Sequence, residues 1–240
     1  MPQRIAVVTT TQYQSIEDIR FKLAAKTMRD VYRYTGQRPI VVDGSPEKIR
    51  EQLQRAGGSI FEQYPDSTTM GATRRQAIEI AMLQQAEVIV WMEPEKCTLT
   101  RYIPELVKRL MLAEASILIP RRQSLDSYPP YQAVKELEGN SAVAEFTSRP
   151  DLDLWFGPRV FDRRGAKYFL DYQGENGDRW ESIFIPVLQA LKAGEKVASH
   201  TVDYIHPPEQ TAAETDPVMD RKRDDQLVSL LSAMKSYWMA

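Results

Sequence analysis

Two glutamates two residues apart, Glu93 and Glu95, close the segment Val88-Ile-Val-Trp-Met-Glu-Pro-Glu95. Carboxylates so spaced at the end of a strand can face one pocket, and Mg²⁺ or Mn²⁺ takes one or two of them together with diphosphate oxygens. The same pair also suits a solvated acidic turn, and the spacing alone leaves both readings open. Asp43 follows Ile40-Val41-Val42, where a carboxylate can accept hydrogen bonds from a ribose or base, or close an Asx turn with Gly44. Met70-Gly-Ala-Thr-Arg-Arg75 opens a helical pattern. Its free amides, with Arg74 and Arg75, could receive an anionic diphosphate; a surface arginine pair bonded to carboxylates is the alternative. His206, in Tyr204-Ile-His-Pro-Pro208, lies in a loop that could fold over a ligand, whereas His200 sits within a strand pattern and reads as structural.

Other chemistries lack their residues. There is no G-x-S-x-G elbow, no P-loop and no G-x-G-x-x-G, which removes the standard hydrolases, NTPases and NAD dehydrogenases. The single cysteine, Cys97, excludes an internal disulfide framework and four-ligand Cys/His zinc sites. With 31 Lys+Arg against 33 Asp+Glu the formal charge is -2, so no bulk attraction to nucleic acid is expected. No apolar stretch approaches the roughly 20 residues needed to span a bilayer. The N-terminus enters a strand pattern without a signal-peptide core, and the expected location is cytoplasmic.

The elements that must position these groups alternate. Arg4–Thr10 reads as a strand buried on both faces. Ser15, with Asp18 three residues on, resembles a capping box opening a helix that Gly36 stops. Pro39–Val42 is a second strand, after which Ser45 can cap a helix with Pro46 at its first position. A third strand at Ser59–Tyr64, a helix over Gly71–Gln85, a strand at Glu87–Met92, a helix from Pro104 to Ala113 and a strand at Ser116–Pro120 complete a β-α repeat. That alternation predicts a mainly parallel sheet with helices on both faces. Beyond it come a helix from Tyr128 to about Phe146, an extended stretch over Asp153–Phe161 and a helix over Asp178–Ala193 that Pro186 should kink. A strand at Lys196–Val202, a loop over Ile205–Asp216 and a closing helix over Pro217–Trp238 follow.

In order and spacing the chain resembles the GT-A fold nucleotide-sugar glycosyltransferases, in particular their family 2-like group. Val41-Val42-Asp43-Gly44-Ser45 is similar to that group's V-V-D-D-G-S, Gly71–Ala77 to its G-x-x-x-A-R-N helix, and Val88–Glu95 to its strand ending in D-x-D. Leu154–Phe161 stands where the group has a Gly-rich acceptor-side segment, and Gly177-Asp178-Arg179-Trp180 resembles its E-D-x-x-L. Here Glu-Pro-Glu replaces D-x-D, as in a small subgroup of that family, and the E-D pair is reduced to Asp178. The resemblance implies a single GT-A-like α/β domain over 1–240, with a nucleotide-binding half (1–122) and an acceptor-binding half (123–240). It implies an inverting transfer of sugar from a UDP- or GDP-type donor to a hydroxyl acceptor, assisted by Mn²⁺ or Mg²⁺. Thr9, Thr10, Asp43, Arg74, Arg75 and Glu93 would then hold the nucleotide, Glu95 and His206 the metal, Trp155 and Trp180 the sugar, and Asp178 would be the base. Two rivals remain. A sugar-nucleotide pyrophosphorylase would carry a Gly-rich loop where Thr9-Thr10-Thr11-Gln12 stands, and a non-catalytic binding or scaffold relative would explain the altered D-x-D. Oligomer formation is left open.

Overall fold

The computed structural model describes residues 4–240. Its strands are β1 (Ile5–Thr11), β2 (Ile40–Asp43), β3 (Ser59–Glu62), β4 (Val88–Trp91), β5 (Ile117–Arg122), β6 (Arg159–Asp162) and β7 (Val197–Val202). They form one sheet in the order β3-β2-β1-β4-β6-β5-β7. β6 runs antiparallel to β4 and β5, and the other pairings are parallel. The helices are α1 (Ile19–Thr35), α2 (Glu47–Arg55), α3 (Met70–Leu83), α4 (Ile103–Leu112) and α5 (Pro130–Thr147), then α6 (Arg163–Asp171), α7 (Glu181–Lys192), α8 (Pro208–Ala213) and α9 (Pro217–Met239).

Alternation along the central strands sends side chains to two apolar layers. Ala6 and Val8 join Ile89 and Trp91 beneath α3, α6 and α7, while Val7 joins Val88 and Val90 against Leu106 and Leu110 of α4. A smaller cluster of Phe21, Met28, Val41 and Leu53 seats α1 and α2. This is the expected α/β GT-A-like architecture, a mixed and mainly parallel sheet between helical layers.

Several boundaries differ from the expectation. The cap of α1 is Asp18, which accepts from the Arg20 amide at 2.9 Å, and not Ser15, whose hydroxyl accepts from Glu17 in the preceding turn. Ser45 does not cap α2: Pro46 occupies the cap position, and the Ser45 hydroxyl turns inward to Asp43. The extended stretch over Asp153–Phe161 divides into a 3-10 turn at Leu154–Phe156 and the antiparallel strand β6. Helix α6, capped by Asp162, and helix α8, within the expected loop, were not anticipated. Helix α7 starts at Glu181, so Asp178 precedes it.

Candidate active site

Beyond the carboxyl end of β4 lies a cavity of about 190 Å³. The loop after β4 supplies Glu93, Glu95 and Lys96, and α5 supplies Gln132, Lys135 and Glu136. Trp155, Phe156 and Gly157 come from the 3-10 turn and its exit, Trp180 and Phe184 from the start of α7. His206 precedes α8, Gln210 lies in it and Glu214 ends it, Lys222 and Arg223 come from the second turn of α9, and Arg20 reaches in from α1.

Glu93 sits at the wall of this cavity against Gly157. That glycine has φ +97°, and a Cβ there would overlap the Glu93 carboxylate, so the backbone can approach only because no side chain intervenes. One Glu93 oxygen, Oε2, is buried without a hydrogen-bond partner. Two buried arginines feel its charge. Burial pulls both Arg74 and Arg159 down to about 10, and Glu93 leads the influences that resist. Neither guanidinium is hydrogen-bonded to a carboxylate among the described residues. Arg74 donates to the Arg179 carbonyl (2.7 Å) and Ser182 Oγ (2.8 Å), with the rings of Trp91 and Trp180 at 4.8 and 5.2 Å. Arg159 donates to the carbonyls of Leu154, Pro158 and Ile183.

Glu95 points elsewhere, toward Tyr13, whose hydroxyl donates to it at 3.3 Å. Burial pushes the Glu95 carboxyl up to about 7, and the Glu93 charge works in the same direction. Lys96 holds its ammonium 4.9 Å from the Phe156 ring centroid and 5.5 Å from that of Tyr204. Burial would lower its pKa, but Tyr128, Glu93 and Glu136 outweigh that and raise it, so the side chain is charged at neutral pH. His206 is buried and stacked on Tyr128 at 4.2 Å. Its Nε2 lies 3.7 Å from Glu214, beyond hydrogen-bond reach, and burial lowers its pKa toward the neutral form.

A buried ion network fixes the far wall. Arg122 grips Asp153 through Nε and Nη2, both at 2.7 Å, and pairs with Glu136, which also accepts from Gln132 at 2.6 Å. The end of β5 is thereby bolted to α5 and to the turn that presents Trp155. Trp155 in turn packs edge-on against Phe184, 5.1 Å between centroids.

Of the residues singled out in the sequence, Glu93, Glu95, Trp155, Trp180 and His206 meet in this cavity. Thr9, Thr10, Asp43, Arg74, Arg75 and Asp178 are not among its lining residues. Asp43 is buried, and its carboxylate is occupied by Thr11 Oγ1 (2.6 Å), Ser45 Oγ (2.7 Å) and the Ser45 amide (3.0 Å), a turn-closing role. Thr9 is buried within β1, and Thr10 pairs with Val42 in the sheet.

Asp178, expected at the start of a helix, is docked on a different one. Its carbonyl accepts from the Gly71 amide at 2.9 Å, and Thr69 donates to its carboxylate, which Arg75 grips at 2.7 and 3.0 Å. A Cβ on Gly71 would overlap the Asp178 carboxylate, so this glycine serves close approach. Burial pushes the Asp178 carboxyl up, but the bonds from Arg75 and Thr69 outweigh it and hold the group below its ordinary range.

Sequence reasoning did not single out Lys96, Glu136, Gln210, Glu214 or Arg223. Lys96 had a signal, since it directly follows Glu-Pro-Glu, and Arg223 lay in a charge-dense run. Glu136 lay in a helix with no marker of function. Divalent-metal binding finds no ready set: among the described residues no three or more His, Cys, Asp or Glu side chains gather as a metal site.

The sheet order, the antiparallel strand beside β4 and the cavity beyond its carboxyl end define a GT-A-like fold, the scaffold of nucleotide-diphospho-sugar transferases. Among solved structures the chain is similar to glucosyl-3-phosphoglycerate synthase of Mycobacterium tuberculosis in complex with Mn²⁺, UDP-glucose and phosphoglyceric acid (12% identity, TM-score 0.66, 98% of this chain and 80% of that one). It is also similar to mannosyl-3-phosphoglycerate synthase of Rubrobacter xylanophilus (11%, TM-score 0.68, 97% and 73%). A CMP:2-keto-3-deoxy-manno-octonic acid synthetase complexed with CTP matches at 11% identity, TM-score 0.57, over 93% and 98%. At such identities the likeness is one of fold. No protein-family model and no curated protein matches the sequence. No helix among the described residues is long and apolar enough to cross a membrane.

Proposed function

We propose that this chain is a glycosyltransferase that moves a sugar from a nucleotide-diphosphate donor to a hydroxyl acceptor, and that the cavity beyond β4 is where the two meet. The observation that carries the reading is convergence. Glu93, Glu95, Trp155, Trp180 and His206 come from four separate stretches of chain and line one cavity at the carboxyl end of a central strand, where open α/β sheets bind their ligands. Trp155 and Trp180 offer aromatic faces to a sugar or base ring. Glu93 lines the cavity and offers its carboxylate as an acceptor to a ligand hydroxyl. In the second turn of α9, Lys222 and Arg223 line the cavity and suit an acceptor bearing a phosphate or carboxylate, in keeping with the phosphoglyceric acid bound by the similar synthase.

In this reading Asp178 is a positioning residue. Its carboxylate is committed to Arg75 and Thr69, and a carboxylate so held is a weaker base than a free one. The test of the donor assignment is a thermal-shift screen of nucleoside diphosphates and their sugars. A ligand at about 100 times its Kd raises stability by roughly 2.7 kcal/mol, so a clear upward shift with one nucleotide is expected. That shift should be lost in Trp155→Ala. No shift with any nucleotide contradicts the proposal.

A further inference from the structure

The Glu-Pro-Glu segment is where a metal-binding pair would stand, yet its two carboxylates do not act together. Glu93 is pressed against Gly157, and Glu95 is turned to Tyr13. The third candidate ligand, His206, is stacked on Tyr128 with Glu214 as its nearest carboxylate. No three such side chains gather among the described residues.

The charge around Glu93 also has the wrong sign for a further cation. Arg159 pairs with Trp91 across β6 and β4, Arg74 lies 4.8 Å over the Trp91 ring, and Lys96 lines the same cavity as Glu93, so three cations stand at the end of β4 that carries Glu93. Arg74 and Arg159 are buried and offset the Glu93 charge, with most of their donors bonded to carbonyls, the Ser182 hydroxyl and the Met70 sulfur. A divalent ion placed beside Glu93 would find that carboxylate already offset by two buried guanidiniums and would meet Lys96 in a partly desolvated site, where repulsion is far less screened than in water. A diphosphate would meet Lys96 as attraction.

Lys96 is the member of this set that lines the cavity. Its ammonium rests near the rings of Phe156 and Tyr204 and forms no ion pair among the described residues. An ammonium held over aromatic rings keeps its three donors available to a ligand. A lysine acts on phosphate as a point charge and needs no bidentate geometry.

We infer that this chain neutralises the diphosphate of its nucleotide ligand with Lys96, while Arg74 and Arg159 offset Glu93, and binds that ligand without a divalent cation. The inference rests on the reading of the cavity as the donor site. It assigns to a side chain the charge that the resemblance would assign to Mn²⁺ or Mg²⁺.

The test is calorimetric titration of the parent chain with UDP, GDP, CDP and ADP, once in EDTA and once in Mn²⁺. The nucleotide that binds should do so with Kd values in the two buffers that agree within about threefold, less than 1 kcal/mol. In EDTA, Lys96→Met should weaken binding by about tenfold or more, and Lys96→Arg should recover most of it. Binding that needs Mn²⁺, or is tightened more than about tenfold by it, overturns the inference and leaves the donor site standing. So does Lys96→Met binding as tightly as the parent. Failure of every nucleotide in both buffers removes the donor site as well. The comparison of buffers uses the parent chain alone, so it holds even if a variant does not fold.

Discussion

On the proposed reading, Asp178 satisfies a motif through docking and not through proton transfer. Its main chain and side chain both dock on the first turn of α3, through Gly71, Thr69 and Arg75, and so pin the segment that leads into α7 and carries Trp180. Asp178→Asn keeps the shape and removes the charge that Arg75 grips. We expect it to cost about 1–3 kcal/mol of stability, between an exposed pair and a fully buried one, while the turnover number changes less than about threefold. Denaturant melts together with steady-state rates check this. A loss of about 10²-fold or more in kcat with stability unchanged would make Asp178 the proton acceptor after all.

Among the elements, α8 and the start of α9 form the side of the cavity with the least apolar support. No residue of α8 is buried, and its link to α9 is ionic: Glu214 pairs with Arg223 at 2.8 Å and lies 3.7 Å from His206. Burial pushes the Glu214 carboxyl up, but His206, Gln210 and Arg223 outweigh it and bring it to about 2, against an ordinary 4.5. A depressed carboxyl stabilises the fold above the unfolded value, and that contribution is lost as pH falls from 4.5 toward 2. Glu214→Gln should therefore speed amide exchange in α8 and the first turns of α9 at pH 7, with β1 and β4 unaffected. It should also flatten the loss of stability below pH 4.5. Exchange identical to the parent would mean that the ionic link does not hold this wall.

The elements also differ in how far the sequence discloses them. Helices α1, α3 and α4 declare themselves, because apolar residues on one face must recur every three to four positions. β4 is plain as an apolar run, and Glu93 and Glu95 follow from it, since a strand's carboxyl end is where a ligand site is sought. The insertion of antiparallel β6 between β4 and β5 is not written locally, because which strands pair depends on contacts far apart in the chain. α6 is short and opens on Arg163-Arg164-Gly165, so its pattern is weak and only the Asp162 cap marks it. Asp178 was misplaced because the glycine-rich stretch before it, with Gly174 and Gly177 at positive φ, delays the helix by three residues. Arg74 was read from the sequence as a phosphate ligand, but its place behind Glu93, like that of Arg159, was beyond reach for another reason. Their role depends on being buried beside Glu93, and no spacing in the sequence reports burial.

In the molecule as a whole, a GT-A-like sheet carries beyond β4 a cavity lined by aromatic rings, carboxylates and cations. Binding of a nucleotide would be shared by an active transferase and by a scaffold that has kept the site, so binding alone does not separate them. The separating quantity is release of nucleoside diphosphate from the nucleotide sugar selected by thermal shift, followed with and without hydroxyl acceptors that carry phosphate or carboxylate groups. The account predicts release that depends on one acceptor, rises above hydrolysis by about 10²-fold or more, and yields a product heavier than the acceptor by one sugar residue. Tight binding of the nucleotide sugar with release unchanged by every acceptor would contradict it and leave the chain a binding module.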